Sequence, residues 1–376
     1  MPVYHTDCRH FSGYKPCRYH RPCDGCPHHA PARPDILLIN LDALGDVLRT
    51  TAFVAALRRV HPDARLTWLT RPRAAALLQR NPMVDRVLPL GEEALTELRA
   101  RRFDLLLNVD KSPVAGALAV TLDAAERRGF GLTPGGAIVP LNPEAQYLYD
   151  TGLDDTLKFQ INLQSEPELL AGALAVPYHR DPYVLVLGDD ERAPGPRRTF
   201  GFNTGCSPGF PYKKLPLDTL EAVARLLAPR LAEPILLLGG PEDSARNAEL
   251  ARRLGDLVEP TPTEGGLRRG AAELDRCEVV LSGDSLGLHI ALALKKHVVV
   301  WFGVTCPQEI ELYDRGIKLL ADVTCAPCWR SSCDREPKCY DRVAPELIVG
   351  ALWDVLAARR EGRAINETRG ARWGPG

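Results

Sequence analysis

The chain has 376 residues, of which 45% are hydrophobic and 25% charged, and its formal net charge is −1. That length exceeds one ordinary core and suits two domains of roughly 150 residues each, while the near-neutral balance supplies no field toward nucleic acid or anionic lipid. The N-terminus lacks the apolar core of a secretory signal and no apolar run approaches the roughly 20 residues of a membrane span, so a cytoplasmic protein without a nucleic-acid partner is expected.

Residues 1–30 carry Cys8, Cys17, Cys23 and Cys26 with five of the nine histidines, and no sustained hydrophobic period. In a reducing compartment such grouping points to metal or redox chemistry more than to disulfides, so 1–33 reads as a small metal-binding extension. Regular structure starts after Pro34: DILLIN is an apolar strand, LDALGD a tight turn, and VLRTTAFVAALRRV a helix with apolar residues at helical spacing. ARLTWLT, RAAALLQR, RVLPL, ALTELRARR and FDLLLNVD then alternate strand and helix. That alternation predicts a parallel, doubly wound sheet, and the polar stretch 140–182 reads as helices and loops over it, completing a domain at 34–187.

A linker, GDDERAPGPRR at 188–198, precedes a fresh start of the rhythm. TFGFNTG, EPILLLGG, CEVVLSGD and HVVVWFG read as strands; LDTLEAVARLLAPRL, SARNAELARRLG and HIALALKK read as helices. The expectation is a second Rossmann-like domain at 188–345, then a helix, PELIVGALWDVLAARR, and a disordered tail within 346–376.

In INLDALGDVLRTT, Gly45 lets the backbone turn tightly between strand and helix, and Asp46 stands at the helix mouth. A carboxylate there either caps the helix or abstracts a proton from a bound alcohol. The turn lacks the glycines of the dinucleotide fingerprint. In the second half, FNTGCSPGFPYKKLP opens a strand into a small-residue loop where Thr204, Gly205 and Ser207 precede Lys213, a point charge suited to phosphate. LLLGGPED ends a strand at Gly239 and Gly240, followed by Glu242, which suits ribose hydroxyls or, like Asp243, a helix cap. VVLSGDSLGLHIALAL places Asp284, Ser285, Leu286 and Gly287 on a loop, with His289 one turn into the helix as a phosphate or loop contact or simply as a core histidine.

The -LGDV- turn with HPDARLTWLT, and D-S-L-G-L-H against the signature D-[ST]-G-x-x-H-[IL], resemble glycosyltransferase family 9, the ADP-heptose:lipopolysaccharide heptosyltransferases. The resemblance spans residues 35–358. It implies a GT-B fold, two facing Rossmann-like domains with the site in their cleft, and inverting transfer of a heptose from ADP-heptose to a glycan or protein hydroxyl. It implies Asp46 as general base and a donor site at Thr204, Gly205, Ser207, Lys213, Gly239, Gly240, Glu242, Asp284, Ser285, Leu286, Gly287 and His289. The acceptor side carries Gly45 and Arg49; the family usually has Lys or Arg in place of Asn40, and often His in place of Arg49. Lys213 matches the family's K-x-W-P segment, with Leu215 replacing the Trp. No catalytic metal is implied, and peripheral association with the inner membrane would come through the substrate.

Cys325, Cys328, Cys333 and Cys339 lie within 15 residues, the first pair at C-x₂-C spacing, which lets two sulfurs reach one ion. Structural zinc or iron is expected at both cysteine groups, and some heptosyltransferases that modify autotransporter proteins resemble this chain in carrying an iron-binding finger here. Two competing readings are a Rossmann-type oxidoreductase using the cysteines for electrons and a non-catalytic, metal-containing nucleotide-sugar-binding module.

Overall fold

The computed structural model describes residues 2–370. The first half contains β1 (Asp35–Ile39), α1 (Leu44–Val60), β2 (Arg65–Thr70), α2 (Pro72–Leu78), β3 (Arg86–Pro89), α3 (Glu92–Arg99), β4 (Arg102–Asn108), α4 (Pro113–Thr121), β5 (Asp123–Leu132), β6 (Ile138–Pro140), α5 (Gln146–Asp150) and α6 (Glu166–Ala173). Every residue of β1 is buried, as a strand sheathed by helices on both faces requires. The strand order is β3-β2-β1-β4-β5-β6, parallel except for the antiparallel β5–β6 pair. Chain order reverses between β1 and β4, and their carboxyl ends open the crevice where such sheets take ligands.

The second half contains β7 (Arg198–Asn203), α7 (Leu217–Leu227), β8 (Ile235–Leu238), α8 (Ser244–Leu254), β9 (Val258–Pro260), α9 (Gly266–Asp275), β10 (Cys277–Gly283), α10 (Leu286–Ala293), β11 (His297–Phe302), β12 (Arg315–Leu320), α11 (Pro345–Glu361) and β13 (Ile365–Gly370). Its parallel sheet runs β13-β12-β11-β10-β7-β8-β9, so the corresponding crevice lies between β7 and β10.

The expected disordered tail is corrected in part. Gly362, at φ 65°, stops α11, and the chain returns as β13, paired with β12 from Arg315↔Ile365 to Leu320↔Gly370. Ile365 and the α11 residues Ile348, Leu352 and Val355 pack into the same core as Phe200 and Val299, so burial of one apolar face secures this segment. Residues 371–376 of the expected tail lie outside the described residues.

The two halves share an apolar cluster in which Leu48 and Ala52 of α1 meet Leu288 and Ala291 of α10. A polar tie between the halves reinforces it: Arg268 of α9 donates to the Ala76 carbonyl at 3.0 Å. None of residues 2–34 is buried, and the strand pairing there is a single bridge, Cys8 to Pro31. Among the described residues, no helix is long and apolar enough to cross a membrane.

Candidate active site

The turn after β1 is held from the neighbouring strand. Asp110, just past β4, accepts the N–H groups of Leu41 and Asp42 on Oδ2 at 3.1 and 3.2 Å, and that of Ser112 on Oδ1 at 2.7 Å. One buried carboxylate thus ties together the two loops of the first crevice. Asp46, in the first turn of α1, accepts the Ala43 N–H on Oδ2 at 3.2 Å and an Arg49 N–H on Oδ1 at 2.7 Å. Its side chain is nevertheless 48% exposed. Capping and access to solvent therefore coexist, and the helix-cap role anticipated from sequence is present. Arg49 also lies 3.4 Å from Glu166 at the start of α6; burial works against its charge, while Glu166 and Asp46 hold it.

Across the cleft, Asp284 follows β10 and is 12% exposed, 3.0 Å from Lys213 Nζ and 3.9 Å from His289 Nε2. Burial alone would raise its pKa, but Lys213 and His289 outweigh burial and hold the carboxyl at about 2. Desolvation, and then Arg49, lower the pKa of His289, which keeps the ring neutral near pH 7; its buried Nδ1 has no hydrogen-bond partner. Asn203, at the end of β7, donates to Ser282 Oγ and Ser285 Oγ at 2.9 Å each. A Cβ at Gly287 would come within 2.4 Å of Asn203 Cγ, which explains a glycine in the first turn of α10.

The other expected donor residues separate into two sets. Gly239 and Gly240 directly follow β8, and Asp243 closes the turn after them, accepting Gly240 N–H at 3.1 Å and pairing with Lys214 at 3.0 Å. Glu242 is thereby left exposed. Ser207 is exposed in the same loop region, beside the buried Gly205. Thr204 differs: its hydroxyl donates to the Leu238 carbonyl at 3.2 Å and to Asn247 Oδ1, so the side chain belongs to the core beneath the loop.

Some residues not anticipated from sequence join the cleft. Lys158, in the single turn Leu157–Ile161, lies 3.2 Å from Glu309, and Gln308 Nε2 donates to the Lys158 carbonyl at 3.1 Å. Burial, then the like charge of Glu166, raise Glu309 above the ordinary carboxylate range. The cleft therefore has a half-exposed carboxylate on one wall and a lysine-paired acidic loop on the other.

None of the cysteines forms a disulfide. Cys325, Cys328, Cys333 and Cys339 line one cavity of about 510 Å³ with Arg330 and Arg335. Burial, then Cys328, Cys325 and Cys333, push the Cys339 thiol up to about 11. Cys8, Cys17, Cys23 and Cys26 line a cavity of about 20 Å³ with His10 and His28. Among the described residues, the one set of three or more His, Cys, Asp or Glu ligand atoms mutually within 4.8 Å is His5, Asp7 and His29; neither thiol group closes to that span.

Residues 93–339 match Glycosyltransferase family 9 (heptosyltransferase). The chain belongs to glycosyltransferase family 9. This family 9 protein is 27% identical over 363 residues to lipopolysaccharide heptosyltransferase 1 of Pseudomonas aeruginosa, covering 86% of this chain and 98% of that one. The solved ADP-heptose lps heptosyltransferase II of E. coli superposes with a TM-score of 0.64 at 18% identity, over 87% of this chain and 99% of that one. The iron-containing dodecameric glycosyltransferase TibC of enterotoxigenic E. coli superposes with a TM-score of 0.52 at 15% identity, over 87% and 77%. The family 9 protein is thus a glycosyltransferase of GT-B fold, and the resemblance carried by -LGDV- and D-S-L-G-L-H is borne out.

Proposed function

We propose that the protein transfers a heptose from ADP-heptose to a hydroxyl of a cell-surface glycan of the lipopolysaccharide type, or of a protein, with inversion at the anomeric carbon. Asp46 accepts the hydroxyl proton; the oxygen attacks C1 opposite the diphosphate; the C1–oxygen bond to the leaving group breaks, and its electron pair departs with ADP. Lys213 offsets the diphosphate charge, Asp284, Ser285 and Gly287 form the loop beneath it, and Glu242 is available to the ribose hydroxyls. The observation that carries this reading is the exposed carboxylate of Asp46 at a helix mouth one residue from the Gly45–His289 contact, beyond which lies the Lys213–Asp284 pair. General-base assistance and charge stabilisation supply the barrier lowering such a displacement needs. The test is a panel of nucleotide-sugars in thermal-shift titration: ADP-heptose should raise Tm in a concentration-dependent way, and a panel in which ADP-sugars shift nothing while others do contradicts the donor assignment.

The cysteine groups are proposed as structural metal sites that do no chemistry in transfer. Cys325, Cys328, Cys333 and Cys339 share one cavity with Arg330 and Arg335, whose charge suits a thiolate cluster. Zinc or iron held there would clip the segment, as the iron named for TibC is consistent with. At the N-terminus, Cys8, Cys17, Cys23 and Cys26 are the proposed ligands, with His5, Asp7 and His29 as a neighbouring convergent set. A metal assay on protein purified without added ions tests both.

A further inference from the structure

Trp329 lies inside the cysteine segment, one residue past Cys328, yet its contacts are those of a donor-site residue. The N–H groups of Cys328 and Trp329 both donate to the Val304 carbonyl, at 3.1 and 2.8 Å, and the indole N–H donates to Cys306 Sγ at 3.3 Å. Val304 and Cys306 bracket Thr305, whose side chain hydrogen-bonds the Asp284 carboxyl. The segment is fastened to the lysine loop as well: Cys333 N–H donates to the Tyr212 hydroxyl at 3.3 Å, and Phe210 meets the indole edge-on with ring centroids 5.7 Å apart.

Two ammonium groups from opposite domains lie over this one indole. Lys158 Nζ is 4.2 Å from the ring centroid and Lys213 Nζ is 5.6 Å from it. Each ammonium also pairs with a carboxylate, Lys213 with Asp284 and Lys158 with Glu309, and Lys213 lies 5.2 Å from the Phe210 centroid as well; the indole face is the hold that the two lysines share, and it adds no opposing charge. A long, rotamer-rich side chain fixed in advance also has less ordering left to lose when an anion arrives.

We infer that Trp329 is a positioning residue for the donor: its indole presets Lys213 and Lys158 at the diphosphate pocket, so a nucleoside diphosphate meets two cations, one from each domain. The inference rests on the transferase reading above and makes the cysteine segment a working part of the donor site.

Calorimetric titration with ADP of the wild type, W329F, W329A, K158M and the W329A/K158M pair tests it, together with donor KM and kcat. W329A should weaken ADP binding by about tenfold, raise the donor KM in proportion and leave kcat within about twofold. W329F, which keeps a ring face, should recover most of the loss. K158M should weaken ADP binding several-fold in the wild type and add little in the W329A background, because the two act through one contact. If W329A fails to fold, the comparison of K158M with W329F decides, since both leave the segment's backbone contacts in place. W329A binding ADP as tightly as the wild type, or W329F losing as much as W329A, overturns the inference. Wild-type protein that binds no ADP overturns the transferase reading itself, and this inference with it.

Discussion

A Cβ at position 45 would lie 2.8 Å from Cδ2 of His289, so the mouth of α1 and the first turns of α10 in the facing domain meet through a glycine. Overpacking at such a contact costs about 1–3 kcal/mol. Gly45→Ala should lower Tm and transfer activity together, and His289→Ala in the same chain should recover most of the Tm loss. Unchanged Tm and activity in Gly45→Ala would mean that the two domains do not work at this separation.

Lys213 is the ammonium that keeps the nearly buried Asp284 charged. Lys213→Met leaves that carboxylate uncompensated, and breaking a buried pair this way destabilises by about 3–5 kcal/mol. The Asp284 pKa should rise from about 2. Lys213→Met/Asp284→Asn should recover much of the stability while ADP affinity stays low. Denaturant titration and calorimetry separate the two effects.

The pH dependence of stability follows from the same groups. Asp284 has a depressed pKa, so its contribution is complete above about 3.8 and is lost as pH falls toward about 2. His289 is also depressed, from 6.5, so the unfolded chain takes up its proton first and stability falls as pH drops below 6.5. Glu309 is raised from 4.5, so its effect has the opposite sign, and stability declines as pH climbs above 4.5. Thermal unfolding across pH 4–8 should show that His289→Gln flattens the loss of stability below 6.5, whereas Glu309→Gln removes the opposing decline between 4.5 and about 7.

Residues 2–34 bury no side chain, and ordering a backbone costs about 1–2 kcal/mol per residue. The ion proposed above, contributing on the order of 10–16 kcal/mol as in zinc-finger peptides, would supply what the missing core does not. Chelation, or Cys17→Ser with Cys26→Ser, should release this segment to limited proteolysis while both sheets survive. A segment equally resistant with and without metal would contradict the metal role.

The parts of this fold legible in sequence are those written locally. DILLI and CEVVLSG are apolar strands running into glycine turns, and the spacing of Asp46 and Asp284 from those turns is fixed by a few residues of chain. β5 and β13 were less legible because β5 carries Glu126, Arg127 and Arg128, and β13 buries only Ile365; charge on their open faces hides the strand period. Glu166, Lys158, Glu309 and Trp329 come together from separate stretches of the chain, so no local pattern announces them. Thr204 shows a different limit: its place in a small-residue loop suits a donor contact, and only the fold shows its hydroxyl turned inward to Asn247.

In the proposed mechanism Asp46 removes the acceptor proton. Transfer of heptose from ADP-heptose, followed by mass spectrometry of the acceptor with wild type and Asp46→Asn, tests it most directly when ADP affinity is measured on the same samples. Loss of about 10²–10⁴-fold in kcat with unchanged ADP affinity is predicted. Turnover by Asp46→Asn near the wild-type rate would contradict it.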